Sequence, residues 1–147
     1  MPAKFDARQR ALFAPEPGTR PAARAAEDEA MLAKLRAMAA ELTAHFRLRA
    51  ASIDAEADGV AWHYGICYAD GRIRIRLRHA KTGRLLKESS LVDTLCHELA
   101  HLRHFDHSLR FRGFHERVLA EARRRGWYRP GPQGPGPREA APCEIVR

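Results

Sequence analysis

The hydrophobic positions change period twice along the chain. Between residues 27 and 46, "EDEAMLAKLRAMAAELTAHF", Met31, Leu35, Met38 and Leu42 recur every three or four residues, the spacing of one helical face. Glu27, Asp28 and Glu29 open this stretch, where acids favour a helix dipole. Beyond it the period falls to two. "RLRAASID" (47–54) predicts a first strand, and "VAWHYGICYA" (60–69) is rich in strand formers. In "RIRIRLRH" (72–79), Ile73, Ile75 and Leu77 face one way while Arg72, Arg74, Arg76 and Arg78 face the other. Asp70-Gly71 between the two runs predicts a two-residue hairpin. Helical spacing returns with Leu91, Leu95, Leu99 and Leu102. It predicts a helix over 91–104, with Ser90 as N-cap and Asp93 completing a capping box. A last helix is expected from Ser108 to Arg125, packing through Phe111, Phe114, Val118 and Leu119 and stopped by Gly126.

These elements predict an α+β fold. It comprises an N-terminal helix, a small antiparallel sheet of about three strands with a hairpin, a central helix, and a closing C-terminal helix. Residues 1–26 carry Ala, Pro and Arg without periodicity and are read as a flexible N-terminal segment. Residues 27–128 form one domain, and 129–147 a Pro/Gly-rich disordered tail.

Composition adds a charge bias. The chain has 26 Lys and Arg against 18 Asp and Glu, a net charge of +8, which points toward a polyanionic partner such as nucleic acid or a nucleotide. From Arg72 to Lys87 every charged residue is basic. Such a run is either the solvated face of a half-buried sheet or a track for phosphates. Cys67, Cys96 and Cys143 form neither a C-x-x-C pair nor a disulfide scaffold, so a cytoplasmic location is expected. No apolar run approaches the roughly 20 residues that cross a bilayer, and the N-terminus has no apolar signal core, so no membrane partner is expected.

The chemistry concentrates in "HELAHLRHFDH" (97–107). On a helix His97 and His101 stack one turn apart, close enough for both imidazoles to reach one ion. Glu98 is offset so that its carboxylate can approach the attacking water rather than the metal. This H-E-x-x-H pattern carries two zinc ligands and a general base on one rigid element. A catalytic zinc needs a third protein ligand and an open position. His107 is the best candidate, because a turn after His101 would bend the chain back. His104 is its main rival, with Asp106, His115 and Glu116 behind. The cysteines and the isolated His45, His63 and His79 are assigned to packing or surface.

"WHYGICYADGRIRIRLRH…SSLVDTLCHELAHLRHFDHSLRFRGF" resembles the catalytic core of the small bacterial YgjP-like and SprT-like zinc metallopeptidases. Their pattern runs aromatic-x-G-x-C, a hairpin, an I-x-I/L strand, then H-E-L-x-H-L…H-S-x-x-F. The resemblance covers about residues 60–115. It implies a zincin-like minimal core in 27–128, one Zn2+ held by His97, His101 and His107, and Glu98 as catalytic base. Tyr64 stands where YgjP-like chains have tryptophan, and Phe111-Arg112 replaces an aromatic pair, so the subfamily stays open. The metzincin glycine position is His104 and no methionine follows the motif, which rejects that subclass.

The expected activity is peptide-bond hydrolysis on a protein or peptide substrate, held by strand addition along 60–68 or 72–78. Two enzymatic alternatives are a SprT-like protease acting on DNA-associated proteins and a nucleotide pyrophosphohydrolase. DNA or another polyanion would bind through the Arg-rich surfaces. A basic nucleic-acid-binding module with a structural zinc is the non-enzyme alternative.

Overall fold

The computed structural model describes residues 19–131 and 144–146. Helix α1 runs from Thr19 to Phe46, eight residues earlier than the periodicity predicts. Ala and Arg are strong helix formers, and Pro21 falls in the first turn, where it costs no backbone hydrogen bond. The acids of 27–29 therefore sit inside the helix, where Glu29 pairs with Arg36 of the same helix and Glu27 and Asp28 meet a partner from the sheet side. Arg78 Nη2 lies 2.6 Å from Glu27 Oε2 and its Nε 2.7 Å from Asp28 Oδ1. The apolar stripe buries as predicted through Leu35, Met38 and Leu42, joined by Leu32, Ala39 and Phe46. Arg47 follows in the left-handed region (φ 56°), and the Leu48 N–H returns to the Thr43 carbonyl at 2.8 Å. This ends the helix.

Strands β1 (Ser52–Ala55), β2 (Gly65–Tyr68), β3 (Arg72–Ile75) and β4 (Glu144–Val146) form one sheet in the order β1-β3-β2-β4. The β2–β3 hairpin is antiparallel, pairing Cys67 with Ile73. That register leaves a three-residue turn, with Gly71 at φ 91°, one residue longer than Asp70-Gly71 suggested. Its left-handed last residue suits a bulged three-residue hairpin. Both outer strands join in parallel: Ile53 pairs with Ile73, and Cys67 with Ile145. The sheet is thus antiparallel only at its centre. β3 has both edges paired and offers none to a peptide, contrary to the expectation for 72–78, and the outer edge of β2 carries β4. Part of the segment read as a tail therefore belongs to the sheet. The readings for residues 1–18 and 132–143 lie outside the described residues.

The run at 60–69 yields only four strand residues. Its first half is drawn off as a loop by Arg76, whose Nη1 donates to the carbonyls of Val60 (3.2 Å) and Ala61 (3.1 Å). Strand alternation places Arg76 in solvent, yet it is buried, its guanidinium 4.3 Å above the Tyr64 ring. A buried Glu56 carboxylate takes a 2.9 Å bond from His63 Nε2 and pins the same loop.

Helix α2 spans Glu88–His101 and α3 spans Leu109–Arg124. α2 begins before Ser90. Lys87 is its N-cap, with no side-chain cap, and Glu88 in the first turn pairs with Lys34 at 2.8 Å. α3 begins where expected, with Ser108 Oγ accepting from the Phe111 N–H. Gly126 at φ 78° follows its end. The three helices and the sheet share one core, in which Leu35, Leu42, Ile73, Ile75, Leu91, Leu95, Leu99 and Val118 are fully buried.

Candidate metal centre

α2 stops at His101 because the next residues tighten: the N–H groups of Leu102, Arg103 and His104 return to the carbonyls of Leu99 and Ala100 at 3.1 Å. The chain then turns and brings His107 back over the helix. His97 Nε2 lies 3.2 Å from His101 Nε2 and 3.3 Å from His107 Nε2. A zinc ion with nitrogen ligands at 2.0–2.1 Å in a tetrahedron holds those nitrogens about 3.3 Å apart. Two of the three nitrogen pairs thus already have the spacing of one ion, and all three ligand atoms lie within 4.8 Å of one another. Among the described residues they are the one group of three or more His, Cys, Asp or Glu with metal-ligand proximity. His101 is buried, His97 half-buried and His107 exposed, so the cluster opens to solvent on the His107 side.

His101 is prepared for a metal in two ways. Its Nδ1 lies 3.0 Å from the His104 carbonyl; donating there leaves Nε2 as the free lone pair. Burial holds its pKa down to about 4, against the opposing pull of that hydrogen bond, so the ring is neutral at ordinary pH. Phe111 floors the cluster, stacked on His101 at 4.3 Å and edge-on to His97 at 4.9 Å.

The rivals are elsewhere. The His104 ring rests against Phe114 at 5.9 Å, and its carbonyl is the part that faces the site. Asp106 is exposed and caps the Ser108 N–H at 3.4 Å. Glu116 is exposed. His115 faces Asp93 instead, Nε2 to Oδ1 at 3.3 Å, which takes Asp93 out of the expected capping box.

Glu98 is buried, with only 2% of its surface exposed. A β-carbon at Gly65 would lie 2.7 Å from Glu98 Oε1, 2.8 Å from its Cγ and 2.9 Å from Thr94 Cγ2. Gly65 is therefore the residue that lets the start of β2 press against this carboxylate. It belongs to the aromatic-x-G-x-C pattern, but sequence alone gave it no function. Two residues on, the buried Cys67 thiol is pushed up to about 12 by burial first and by the Glu98 charge second. Cys96 is raised too, chiefly by burial. Both thiols are inert in the folded chain.

The strand arginines do not form a free cationic track. Arg72 pairs with Asp70 at 2.7 Å, Arg74 approaches Glu56 at 3.7 Å, Arg76 binds carbonyls, and Arg78 is held by Glu27 and Asp28. Arg72 and Arg74 are exposed despite these pairings, and further exposed arginines lie on α3, at Arg110, Arg112 and Arg117. Among the described residues no helix is long and apolar enough to cross a membrane.

Residues 62–139 match the family described as the WLM domain. The chain belongs to the WLM-domain family. This places it in the zincin-like protease group and singles out no YgjP-like branch. Solved structures similar to this WLM domain include Wss1 from Saccharomyces cerevisiae, at 17% identity and a TM-score of 0.60 over 65% of this chain and 79% of that one. A Wss1 mutant from the same yeast gives 16% and 0.62 over 69% and 85%, and one from S. pombe 19% and 0.55 over 82% and 91%. At these identities the likeness concerns the fold. No curated protein sequence matches the chain.

Proposed function

We propose that this WLM domain is a zinc-dependent peptidase in which His97, His101 and His107 hold one Zn2+ and Glu98 is the general base. The observation that carries this is the convergence of three imidazole Nε2 atoms, with a buried carboxylate one residue from the first. When bound, zinc lowers the pKa of a water to about 7 and polarises the scissile carbonyl. Glu98 takes the proton of the attacking water and passes it to the leaving amine. Its stem and Oε1 lie close against Gly65 at the start of β2, which limits how far the carboxylate can move on that side. The His104 carbonyl holds the His101 ring, and the exposed side of His107 leaves the approach for an extended peptide.

Metal analysis of the purified chain should find one zinc, and Glu98→Gln should keep it while abolishing hydrolysis of an unfolded protein. Full turnover by that variant would sink the mechanism. A closed structural zinc would use a fourth protein ligand and leave a buried Glu98 without a role.

Membership of the WLM family favours a finer reading, a protease acting on DNA-associated proteins. The exposed Arg110, Arg112 and Arg117 supply cations for a backbone contact. Binding to duplex DNA should then fall steeply with salt, and salt-insensitive or absent binding would remove this reading. Nucleotide pyrophosphate hydrolysis would draw on the strand arginines, of which Arg76 and Arg78 are bound within the chain. Nucleoside triphosphates assayed beside an unfolded protein separate the two.

A further inference from the structure

Four of the eight histidines belong to two ladders that face each other across the α2–α3 seam. Asp93, His97 and His101 follow one another at four-residue steps, and so do His107, Phe111 and His115 in the opposing direction. The ladders meet in three rungs. The His101 and His107 rings are 4.8 Å apart, the His97 and Phe111 rings 4.9 Å, and Asp93 Oδ1 and His115 Nε2 3.3 Å. Two rungs make the metal cluster and its floor. The third is unused by the proposed reaction.

We infer that Asp93 and His115 form a positioning pair that fixes the His97 ring and the α2–α3 register for metal binding. This rests on the peptidase reading only in taking His97, His101 and His107 as the ligand set. The contact is a close approach rather than an aligned hydrogen bond, and both side chains are largely covered, with exposures of 8% for Asp93 and 15% for His115. The His115 ring stands edge-on to His97 at 5.1 Å and 77°, so a fixed His115 blocks the swing of the His97 ring on that side. Phe111 lies 5.9 Å from His115 and nearly parallel to it, which carries the same restraint to the floor of the cluster. Asp93 sits one helical turn before His97 on the same rigid helix, so holding His115 there sets α3 against α2. The 3.3 Å separation of His97 and His107 depends on that register. Carboxylates and imidazoles that orient ligating histidines commonly govern metal affinity by 10–100-fold.

The test measures the Zn2+ dissociation constant by competition with a chromophoric chelator. It compares the wild-type chain with Asp93→Asn, His115→Phe, the double variant and His115→Gln. His115→Phe keeps a ring but no polar atom facing Asp93, whereas His115→Gln keeps a polar group close to the Nε2 position. Each of Asp93→Asn and His115→Phe should weaken zinc by roughly 10–100-fold. The double variant should lose no more than the worse single, as expected of a pair acting as one unit. His115→Gln should recover most of the affinity, and Co2+ spectra should lose tetrahedral character in the variants that weaken. Affinities within about twofold of wild type, or additive losses, would overturn the pair. Thermal unfolding of the metal-free variants separates a folding defect from a binding one: weak zinc with an unchanged metal-free midpoint supports positioning, and weak zinc that only tracks a lowered midpoint refutes it. The readout needs no turnover, so it stands apart from the Glu98→Gln assay. A wild-type chain that binds no zinc would end both this inference and the peptidase reading.

Discussion

His104 meets His101 through its backbone: its carbonyl lies 3.0 Å from His101 Nδ1, while its own ring rests on Phe114. The side chain of His104 is therefore dispensable to the cluster. His104→Ala should bind zinc within about twofold of wild type, whereas His107→Ala should lose at least an order of magnitude on removal of one of three ligands. Metal content and chelator competition decide between them. A zinc loss in His104→Ala equal to that in His107→Ala would place the imidazole in the coordination sphere.

Gly65→Ala tests how closely the sheet abuts the base. The added carbon would sit 2.7 Å from Glu98 Oε1, so the carboxylate or the strand must move. A displacement near 1 Å at a reacting group costs on the order of 10²-fold in rate. The expected outcome is a fall of that size in kcat/KM with zinc retained. Unchanged kcat/KM would mean that the strand, rather than the Glu98 carboxylate, gives way.

Acid stability depends on Glu121. Arg124 first, then Arg125, hold its carboxyl down at about 2 against an ordinary 4.5. A carboxyl lowered on folding adds stability that is fully present above 4.5 and is lost as pH falls through about 2. Glu56 adds in the same direction: burial opposes its ionisation, but the bonds from His63 and Ala57 bring it below the ordinary value. Glu121→Gln should flatten the thermal midpoint against pH between about 4.5 and 2. An unaltered acid slope would show that the arginine pair contributes nothing.

Removing residues 132–147 would uncover the outer edge of β2, where Glu144–Val146 now pair with Ile66–Tyr68. Unpaired strand edges template association with another chain. The truncated chain should self-associate with rising concentration, as read by light scattering. A strictly monomeric truncation would show that β4 does not protect that edge.

His97, Glu98 and His101 were legible in the sequence because a four-residue step is local and fixes the face of a helix. His107 needed a turn that the periodicity could only suggest. The Asp93–His115 rung was out of reach, since it depends on how one helix registers against another. Gly65 carried a visible pattern but no visible reason, because its neighbour Glu98 lies thirty-three positions later. Strand alternation misplaced Arg76, whose partners are the carbonyls of a loop rather than water. The parallel docking of β1 and β4 is long-range pairing that no local signal encodes. The α1 start was masked by an Ala-rich stretch with no apolar stripe of its own.

His97 and His107 stand ten positions apart on opposite sides of the turn that ends α2. A single ion bonded to both would tie off that turn as a closed ring. For a covalent link, closure of a loop of similar size removes about 3 kcal/mol of chain freedom from the unfolded state. The same three imidazoles would then act as a removable crosslink between α2 and the turn that leads into α3, and chelation would loosen the α2–α3 seam as well as silence the chemistry.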